Sequence, residues 1–157
     1  MLFLIRHAHA AAAEEDALRP LSEAGREETR RLAQWLRPGG QLQPEEVWHS
    51  PLVRARETAE ILAAELAWTA PLQVVPGLEP EDFPGRVAGR IAACAHSLAL
   101  VGHNPNLTCL ATLLVTGAAD PPAFVFPKGA ALALEAGRDR NLGSWQVCWM
   151  VTPQLRL

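Results

Sequence analysis

The chain has 157 residues, of which 49% are hydrophobic and 20% are charged, and its formal net charge is −3. This length and composition predict a single globular domain, residues 1–157, with its own core. The weakly negative charge disfavours nucleic acid or an anionic membrane as a partner, so any anion must be recognised by a few cations placed locally.

Short apolar runs alternate with segments of helical periodicity along the chain. In chain order, the predicted elements are a strand at 2–5, a helix at 22–36, a strand at 47–49, a helix from 50 to about 66, a strand at 72–75, a helix at about 84–97, a strand at 98–101, a helix from 104 to 117, and strands at 124–126, 130–135 and 145–151. This alternation predicts an α/β sandwich with a mostly parallel sheet, in which later strands run antiparallel at an edge.

Capping signals mark several helix boundaries. Ser22 is placed to cap the first helix. The pairs Ser50-Pro51 and Asn104-Pro105 each combine a capping side chain with a proline suited to the first helical position. Gly117 is placed to end the helix that follows Asn104.

Cationic and imidazole side chains follow three of the predicted strands. Arg6 and His7 come after the first strand, Arg54 lies in the first turn of the second helix, and His103 and Asn104 follow the fourth strand. The carboxyl ends of parallel strands share one edge of the sheet, where helix N-termini favour anions. The sequence therefore predicts two imidazoles and two guanidinium groups around one oxyanion.

The other histidines are not expected to be catalytic. His9 and His49 also lie near the predicted edge. We expect His9 to be a loop residue, with a supporting role in the site as the alternative. We expect His96 to lie on the surface of the third helix.

The segments that carry these side chains resemble the three motifs of the histidine phosphatase superfamily, which has the phosphoglycerate-mutase-like fold. Residues 4–8 are similar to its Arg-His-Gly signature, with Ala8 in place of glycine, and residues 50–59 and 101–105 are similar to its second and third motifs. The small size, the Arg-Pro-Leu-Ser segment at 19–22 and the tryptophan near the C-terminus most resemble the SixA-type phosphohistidine phosphatase branch. Three motifs in this order are a specific signal.

The resemblance implies a three-layer α/β/α sandwich and a phosphatase that needs neither metal nor cofactor. His7 would be the nucleophile and become phosphohistidine. Arg6, Arg54 and His103 would bind and neutralise the transferring phosphoryl group, with Asn104 among the substrate-binding residues. The substrate would be a phosphohistidine on a protein or, alternatively, a small phosphoester.

The general acid is left open by the sequence. Larger members of the family carry a glutamate for this role in the loop after the third strand. The corresponding loop here is 76–83, in which Glu81 or Asp82 could serve. The alternative is that both are solvated loop carboxylates and that Asp82 caps the following helix.

Two other classes of function are weighed against catalysis by His7. A non-catalytic phosphate-binding module on the same fold would use the arginines and need no nucleophile. A metal hydrolase would need clustered ligands, for which His7 and His9 with Asp16 are the available set.

The cysteines and the N-terminal residues indicate the cellular compartment in which the protein is expected. Cys94, Cys109 and Cys148 are far apart and odd in number, so they predict neither a disulfide framework nor a thiolate metal site and fit a reducing environment. The apolar run before Arg6 is too short for a signal peptide, and no later run approaches a membrane span. We therefore expect a cytoplasmic protein.

Overall fold

The computed structural model describes residues 1–40 and 42–153. In chain order the elements in these ranges are β1 Leu2–Arg6, α1 Glu23–Leu36, β2 Glu46–His49, α2 Val53–Leu66, β3 Leu72–Val74, α3 Gly85–Ala93, β4 Leu98–Gly102, α4 Asn106–Thr116, β5 Ala131–Glu135 and β6 Gln146–Val151. Short 3₁₀ turns occupy Asp16–Leu18 and Arg37–Gly39. Within the described ranges, no helix is both long enough and apolar enough to cross a membrane.

The strands form one sheet in the order β3-β2-β4-β1-β5-β6. The pairs β3-β2, β2-β4 and β4-β1 are parallel. The pairs β1-β5 and β5-β6 are antiparallel. The predicted mostly parallel sheet with antiparallel pairing towards one edge is therefore confirmed. β1 lies inside the sheet, between β4 and β5, although it is the first strand of the chain.

Both faces of the sheet are buried, which explains why its strands are continuous apolar runs in the sequence. Alternate side chains of β1 point to opposite faces, so Leu2 and Leu4 belong to one apolar cluster and Phe3 and Ile5 to the other. Helices α3 and α4 contribute to the first cluster, and α1 and α2 to the second. The three-layer α/β/α sandwich is confirmed.

Helix α1 begins where its capping signal predicts. The Ser22 hydroxyl accepts a hydrogen bond from the Gly25 amide at 3.0 Å, which satisfies one of the free N–H groups of the first turn. Gly25 also allows a close backbone contact, because a Cβ built there would lie 2.0 Å from the carbonyl oxygen of His9. The loop after β1 is therefore packed directly against the start of α1.

Helices α2 and α4 begin one or two residues later than the proline signals predict. The Ser50 hydroxyl accepts from the Leu52 amide at 3.2 Å, within the turn that precedes α2. The Asn104 side chain donates to the Phe126 carbonyl at 3.0 Å. Both predicted caps are wrong, because the N-cap residues are Leu52 and Pro105 and neither helix has a side-chain cap within the described residues. Gly117 does end α4, with a φ of 85°.

Two further boundaries differ from the prediction. Residues 124–126 are irregular, because the Phe126 carbonyl accepts from side chains of the site instead of from a neighbouring strand. Helix α3 ends at Ala93, and the Ser97 amide donates to the Glu45 carboxylate at 3.1 Å, which draws this segment towards the sheet. His96 therefore lies in the loop after α3 and not on the helix.

Candidate active site

His7 and His103 lie side by side at the carboxyl edge of the sheet, directly after the paired strands β1 and β4. The ladder continues beyond the strand ends, since the His7 amide donates to the Gly102 carbonyl at 3.0 Å. The ring centroids of the two histidines are 4.8 Å apart, and both side chains are buried. Residues nearly a hundred positions apart in sequence thus share one point of the fold.

The backbone fixes the tautomer of His7. Its Nδ1 lies 2.7 Å from the carbonyl oxygen of Ala8. Because a carbonyl oxygen can only accept, Nδ1 carries the proton and donates it, and Nε2 keeps its lone pair. Ala8 is itself held in place, since it is buried and its amide donates to the Thr58 hydroxyl at 3.3 Å.

His7 is neutral at pH 7. Burial is the largest cause that lowers its pKa, to about 4, and the positive charges of Arg54 and Arg6 act in the same direction, whereas the hydrogen bond to Ala8 opposes them. The neutral ring is the form in which an imidazole acts as a nucleophile. Arg6 precedes His7 in the chain, and Arg54 is tied to the same loop, because the Thr58 hydroxyl that accepts from the Ala8 amide donates to the Arg54 carbonyl at 2.7 Å.

His103 is held from the neighbouring strand β2. Its Nε2 lies 2.9 Å from the hydroxyl of Ser50, whose own amide donates to the Val101 carbonyl at 3.0 Å. Burial, followed by the charges of His7 and Arg54, lowers the pKa of His103 to about 3. Its Nδ1 is buried without a hydrogen-bond partner among residues 1–40 and 42–153.

Arg54 lies in the first turn of α2 and is buried. Its Nη1 donates to the Asp16 carbonyl at 2.7 Å, and its Nη2 donates to the Asp16 carboxylate at 2.9 Å. The Asp16 side chain is 64% exposed. Hydrogen bonds from Arg54 and Arg19 hold the pKa of Asp16 below its usual range, so this carboxylate is charged and partly neutralises Arg54.

Arg6 is fixed by a carbonyl group instead of a carboxylate. Its Nη1 donates to the Phe126 carbonyl at 2.8 Å, which also accepts from the Asn104 amide. In the part of the chain that the structure describes, Arg6 Nε and Asn104 Oδ1 are buried without partners. Arg6 therefore presents a full positive charge and an unused N–H donor.

The site combines two neutral imidazoles with two guanidinium groups in a partly dehydrated place. Guanidinium groups match the geometry of phosphate oxygens, and fixed donors in a dry site stabilise developing negative charge better than water does. The arrangement can therefore hold a tetrahedral oxyanion beside the free Nε2 of His7.

Within the described ranges, Glu81 and Asp82, the residues considered as general acids, form no hydrogen bond or ion pair with these four side chains. Glu81 is exposed. The Asp82 carboxylate accepts from the Glu79 amide at 2.9 Å, so it closes a turn of its own loop. Helix α3 begins later, at Gly85, after Pro84, and the expectation that Asp82 caps this helix is therefore wrong.

The set considered for a metal is dispersed. His9 Nδ1 lies 2.8 Å from the Ser22 hydroxyl in an exposed loop, and Asp16 is bonded to Arg54. Over residues 1–40 and 42–153, no three His, Cys, Asp or Glu side chains form a group that could hold a metal ion. His49 is buried at the end of β2, and its Nδ1 donates to the Ser50 carbonyl at 2.9 Å.

Sequence reasoning missed two contributors to the site, Ser50 and the Arg54 partner Asp16. The pair Ser50-Pro51 predicts a helix cap, because Ser-Pro is a common helix start. The position of Ser50 directly after β2, next to β4 in the sheet, is the signal that could have identified it. Nothing in the local sequence pairs Asp16 with Arg54, because that ion pair joins a loop to a helix 38 positions away.

Comparisons with known proteins agree with this geometry. The sequence profile of the histidine phosphatase superfamily (branch 1) matches residues 2–98. The chain is 30% identical to the phosphohistidine phosphatase SixA of Escherichia coli (strain K12), over 93% of this chain and 92% of that protein. It is also 42% identical to an uncharacterised protein of Picosynechococcus sp., over 68% of this chain and 67% of that one.

A solved structure of the protein histidine phosphatase SixA complexed with tungstate superposes with a TM-score of 0.85. The identity is 29%, and the match covers 97% of this chain and 96% of that chain. The profile match extends over more than half of the chain, and the similarity to the Escherichia coli protein over nearly all of it. The chain belongs to the histidine phosphatase superfamily, branch 1.

Proposed function

We propose that this protein is a phosphatase that removes the phosphoryl group from a phosphohistidine on a protein substrate, with His7 as the nucleophile. The observation that carries the proposal is the neutral His7 ring, whose Nδ1–H is held by the Ala8 carbonyl at 2.7 Å while Nε2 keeps its lone pair. The name of the Escherichia coli relative supports the substrate class.

The reaction proceeds in two displacements at phosphorus. In the first, His7 Nε2 forms a bond to phosphorus as the bond to the substrate imidazole breaks, and the departing imidazole leaves neutral when it was protonated at its other nitrogen. In the second, water attacks the phosphorus of phosphorylated His7, loses a proton to solvent and releases phosphate. The Nδ1 proton that faces Ala8 stays in place throughout, so His7 also leaves as a neutral imidazole.

The charged and polar neighbours of His7 bind the phosphoryl group and stabilise its negative charge. Phosphoryl transfer depends mostly on positioning and on neutralising the charge of the equatorial oxygens. Arg6 and Arg54 supply guanidinium donors for these oxygens, and His103 and Asn104 complete the polar surround. Arg54 must exchange its bonds to Asp16 for bonds to the phosphoryl group, and the exposure of Asp16 supports such an exchange.

Within the described residues no carboxylate bonds to His7 or His103, and the Asp16 carboxylate, which Arg54 and Arg19 hold charged, cannot supply a proton. This arrangement favours phosphohistidine over a phosphate ester. An alkoxide is a poor leaving group and benefits strongly from a positioned acid. An imidazole can be protonated by solvent near neutral pH. Because Glu81 and Asp82 are both engaged elsewhere or exposed, the site suits the leaving group that needs less help.

The substrate class is tested by comparing kcat/KM for free phosphohistidine, a phosphohistidine peptide and a phosphoserine peptide of the same sequence. We expect the phosphohistidine compounds to be preferred at least tenfold. A preference for phosphoserine would instead identify a phosphomonoesterase. Full activity in excess chelator is expected, and a loss that added metal restores would indicate a metal hydrolase.

The role of His7 is tested by trapping the phosphoenzyme after rapid mixing with radiolabelled phosphohistidine. We expect a protein-bound label that is labile in acid and stable in alkali, and no such label in His7→Ala with an unchanged circular dichroism spectrum. Binding of phosphohistidine without turnover or label in the wild type would indicate a non-catalytic module.

A further inference from the structure

A groove adjoins the phosphoryl site on the side of Arg6. One wall is formed by the start of α4, with Asn104, Pro105 and Thr108, and the other by the irregular segment 124–127. Its volume is about 410 Å³, roughly fourteen times the ~30 Å³ that one water molecule occupies in the liquid. The groove is therefore much larger than a phosphoryl group requires.

The second wall is anchored by hydrogen bonds, although it has no regular secondary structure. The Ala123 amide donates to the Thr112 hydroxyl at 3.0 Å, and the Phe126 carbonyl accepts from both Arg6 and Asn104. The Phe126 side chain is buried in the core. Val125, between these anchors, is nevertheless 86% exposed, the highest value among the exposed large hydrophobic side chains of the described residues.

Unused polar atoms accompany this apolar wall. In residues 1–40 and 42–153, Arg6 Nε, Asn104 Oδ1 and Thr108 Oγ1 are buried without hydrogen-bond partners, and all three residues line the groove. Thr108 as a whole is 8% exposed. A buried polar group without a partner is unfavourable, so three such groups on residues that line one groove point to a ligand with its own donors and acceptors.

We infer that this groove binds the polypeptide that flanks the phosphohistidine of a protein substrate, with an apolar side chain against Val125 and main-chain amides facing Asn104 and Thr108. The inference rests on the proposed function. Arg6 belongs both to the phosphoryl site and to the groove, so whatever occupies the groove lies next to the transferring phosphoryl group.

Charge agrees with this occupant. Among the residues that line the groove, Arg6 is a cation and none is an acid, and the next residue along the segment is Lys128. A neutral or acidic peptide is therefore accommodated, whereas a small phosphate ester would leave the exposed valine and the apolar wall unused. Protein substrates commonly gain specificity from pockets beside the reacting group.

The experiment compares three probes: free phosphohistidine, a phosphohistidine peptide flanked by leucines and the same peptide flanked by glycines. We expect wild type to prefer the leucine peptide to the glycine peptide at least tenfold in kcat/KM, mainly through KM. Val125→Glu should reduce this preference to less than threefold and leave free phosphohistidine within twofold of wild type. Thr108→Val should raise KM for both peptides threefold or more without changing free phosphohistidine.

Val74→Glu is the matched control, because Val74 is also an exposed valine, at 60%, but lies on the edge strand β3. It should keep the wild-type preference. If free phosphohistidine is hydrolysed but Val125→Glu and wild type show the same preference between peptides, the groove is not a docking site and the proposed function stands. If wild type hydrolyses no phosphohistidine compound, the proposed function itself fails and the groove inference fails with it.

Discussion

Histidines with close partners lie at both ends of the parallel strands, which are the carboxyl edge and the amino edge of the sheet. The surroundings of these histidines differ between the two edges. At the carboxyl edge, His7 and His103 are buried against a carbonyl, a hydroxyl and two guanidinium groups. At the amino edge, His96 Nε2 lies 2.7 Å from the carboxylate of Glu46, and both groups are partly exposed.

This difference shows how the fold decides what an imidazole can do. At the amino edge the carboxylate of Glu46 also accepts from the Trp48 indole at 2.7 Å, and this bond, followed by the one to His96, holds the pKa of Glu46 below its usual range. Because a carboxylate can only accept, His96 Nε2 carries a hydrogen that it donates to Glu46, so this nitrogen has no free lone pair. At the carboxyl edge, burial next to cations favours the neutral, nucleophilic form.

The largest expected effect is a difference in kcat between a histidine variant at the carboxyl edge and one at the amino edge. His7→Ala should lower kcat for phosphohistidine hydrolysis by a factor of about 10³ or more, because removal of a nucleophile leaves only binding and charge stabilisation. His96→Ala should leave kcat within twofold. Steady-state kinetics on both variants, with folding checked by circular dichroism, tests this, and similar losses in both would abolish the distinction between the edges.

The arginines provide the second contrast. Arg54→Ala should lower kcat about 10²–10³-fold, which is typical when a donor to a developing oxyanion is removed, and Arg54→Lys should recover little because lysine lacks the planar fork. The matched control is Arg90→Ala, since Arg90 lies 4.8 Å above the Trp48 ring. Full rescue by lysine would argue that Arg54 acts only as a point charge.

The third prediction concerns stability in acid. The pKa of His7 is lowered to about 4 by burial, so between this value and the ordinary 6.5 the unfolded chain binds a proton that the folded chain does not. Stability therefore falls as pH decreases through this window. Between pH 7 and pH 5 we expect wild type to lose about 1–2 kcal/mol more unfolding free energy than His7→Gln.

Urea unfolding at several pH values measures this difference. His96→Gln is the control from the amino edge and should lose stability in parallel with wild type. If the curves of wild type and His7→Gln are parallel instead, His7 is not held neutral by the fold.

The smallest expected effect concerns Asp16, the carboxylate that approaches the cationic edge. Asp16→Asn should lower the Kd of orthophosphate two- to fivefold, because an ion pair with an exposed carboxylate contributes about 0.2–1 kcal/mol and the anion competes for the same guanidinium. Isothermal titration tests this, with the exposed Asp120→Asn as control. Weaker binding in Asp16→Asn would mean that Asp16 orients Arg54 for its ligand.

The order of strands and helices could be predicted because buried parallel strands are continuous apolar runs and the helices keep a regular apolar stripe. The meeting of His7 and His103 followed from the rule that parallel strands end at one edge. The hydrogen bond between Ser50 and His103 could not be predicted in the same way, because a serine before a proline is commonly explained as a helix cap. The Phe-Val-Phe run at 124–126 looked like a strand, and only the distant side chains of Arg6 and Asn104 make it the wall of a groove.

The interior position of β1 has a consequence for how the protein is made. The strand that precedes His7 is synthesised before both of its neighbours in the sheet, Leu98–Gly102 and Ala131–Glu135. At a synthesis rate of about 5–20 residues per second, the interval is on the order of ten seconds. Until those residues have been synthesised, His7 lacks the burial and the neighbouring imidazole of His103 that the folded site provides. The arrangement that we propose for catalysis is therefore completed late in synthesis.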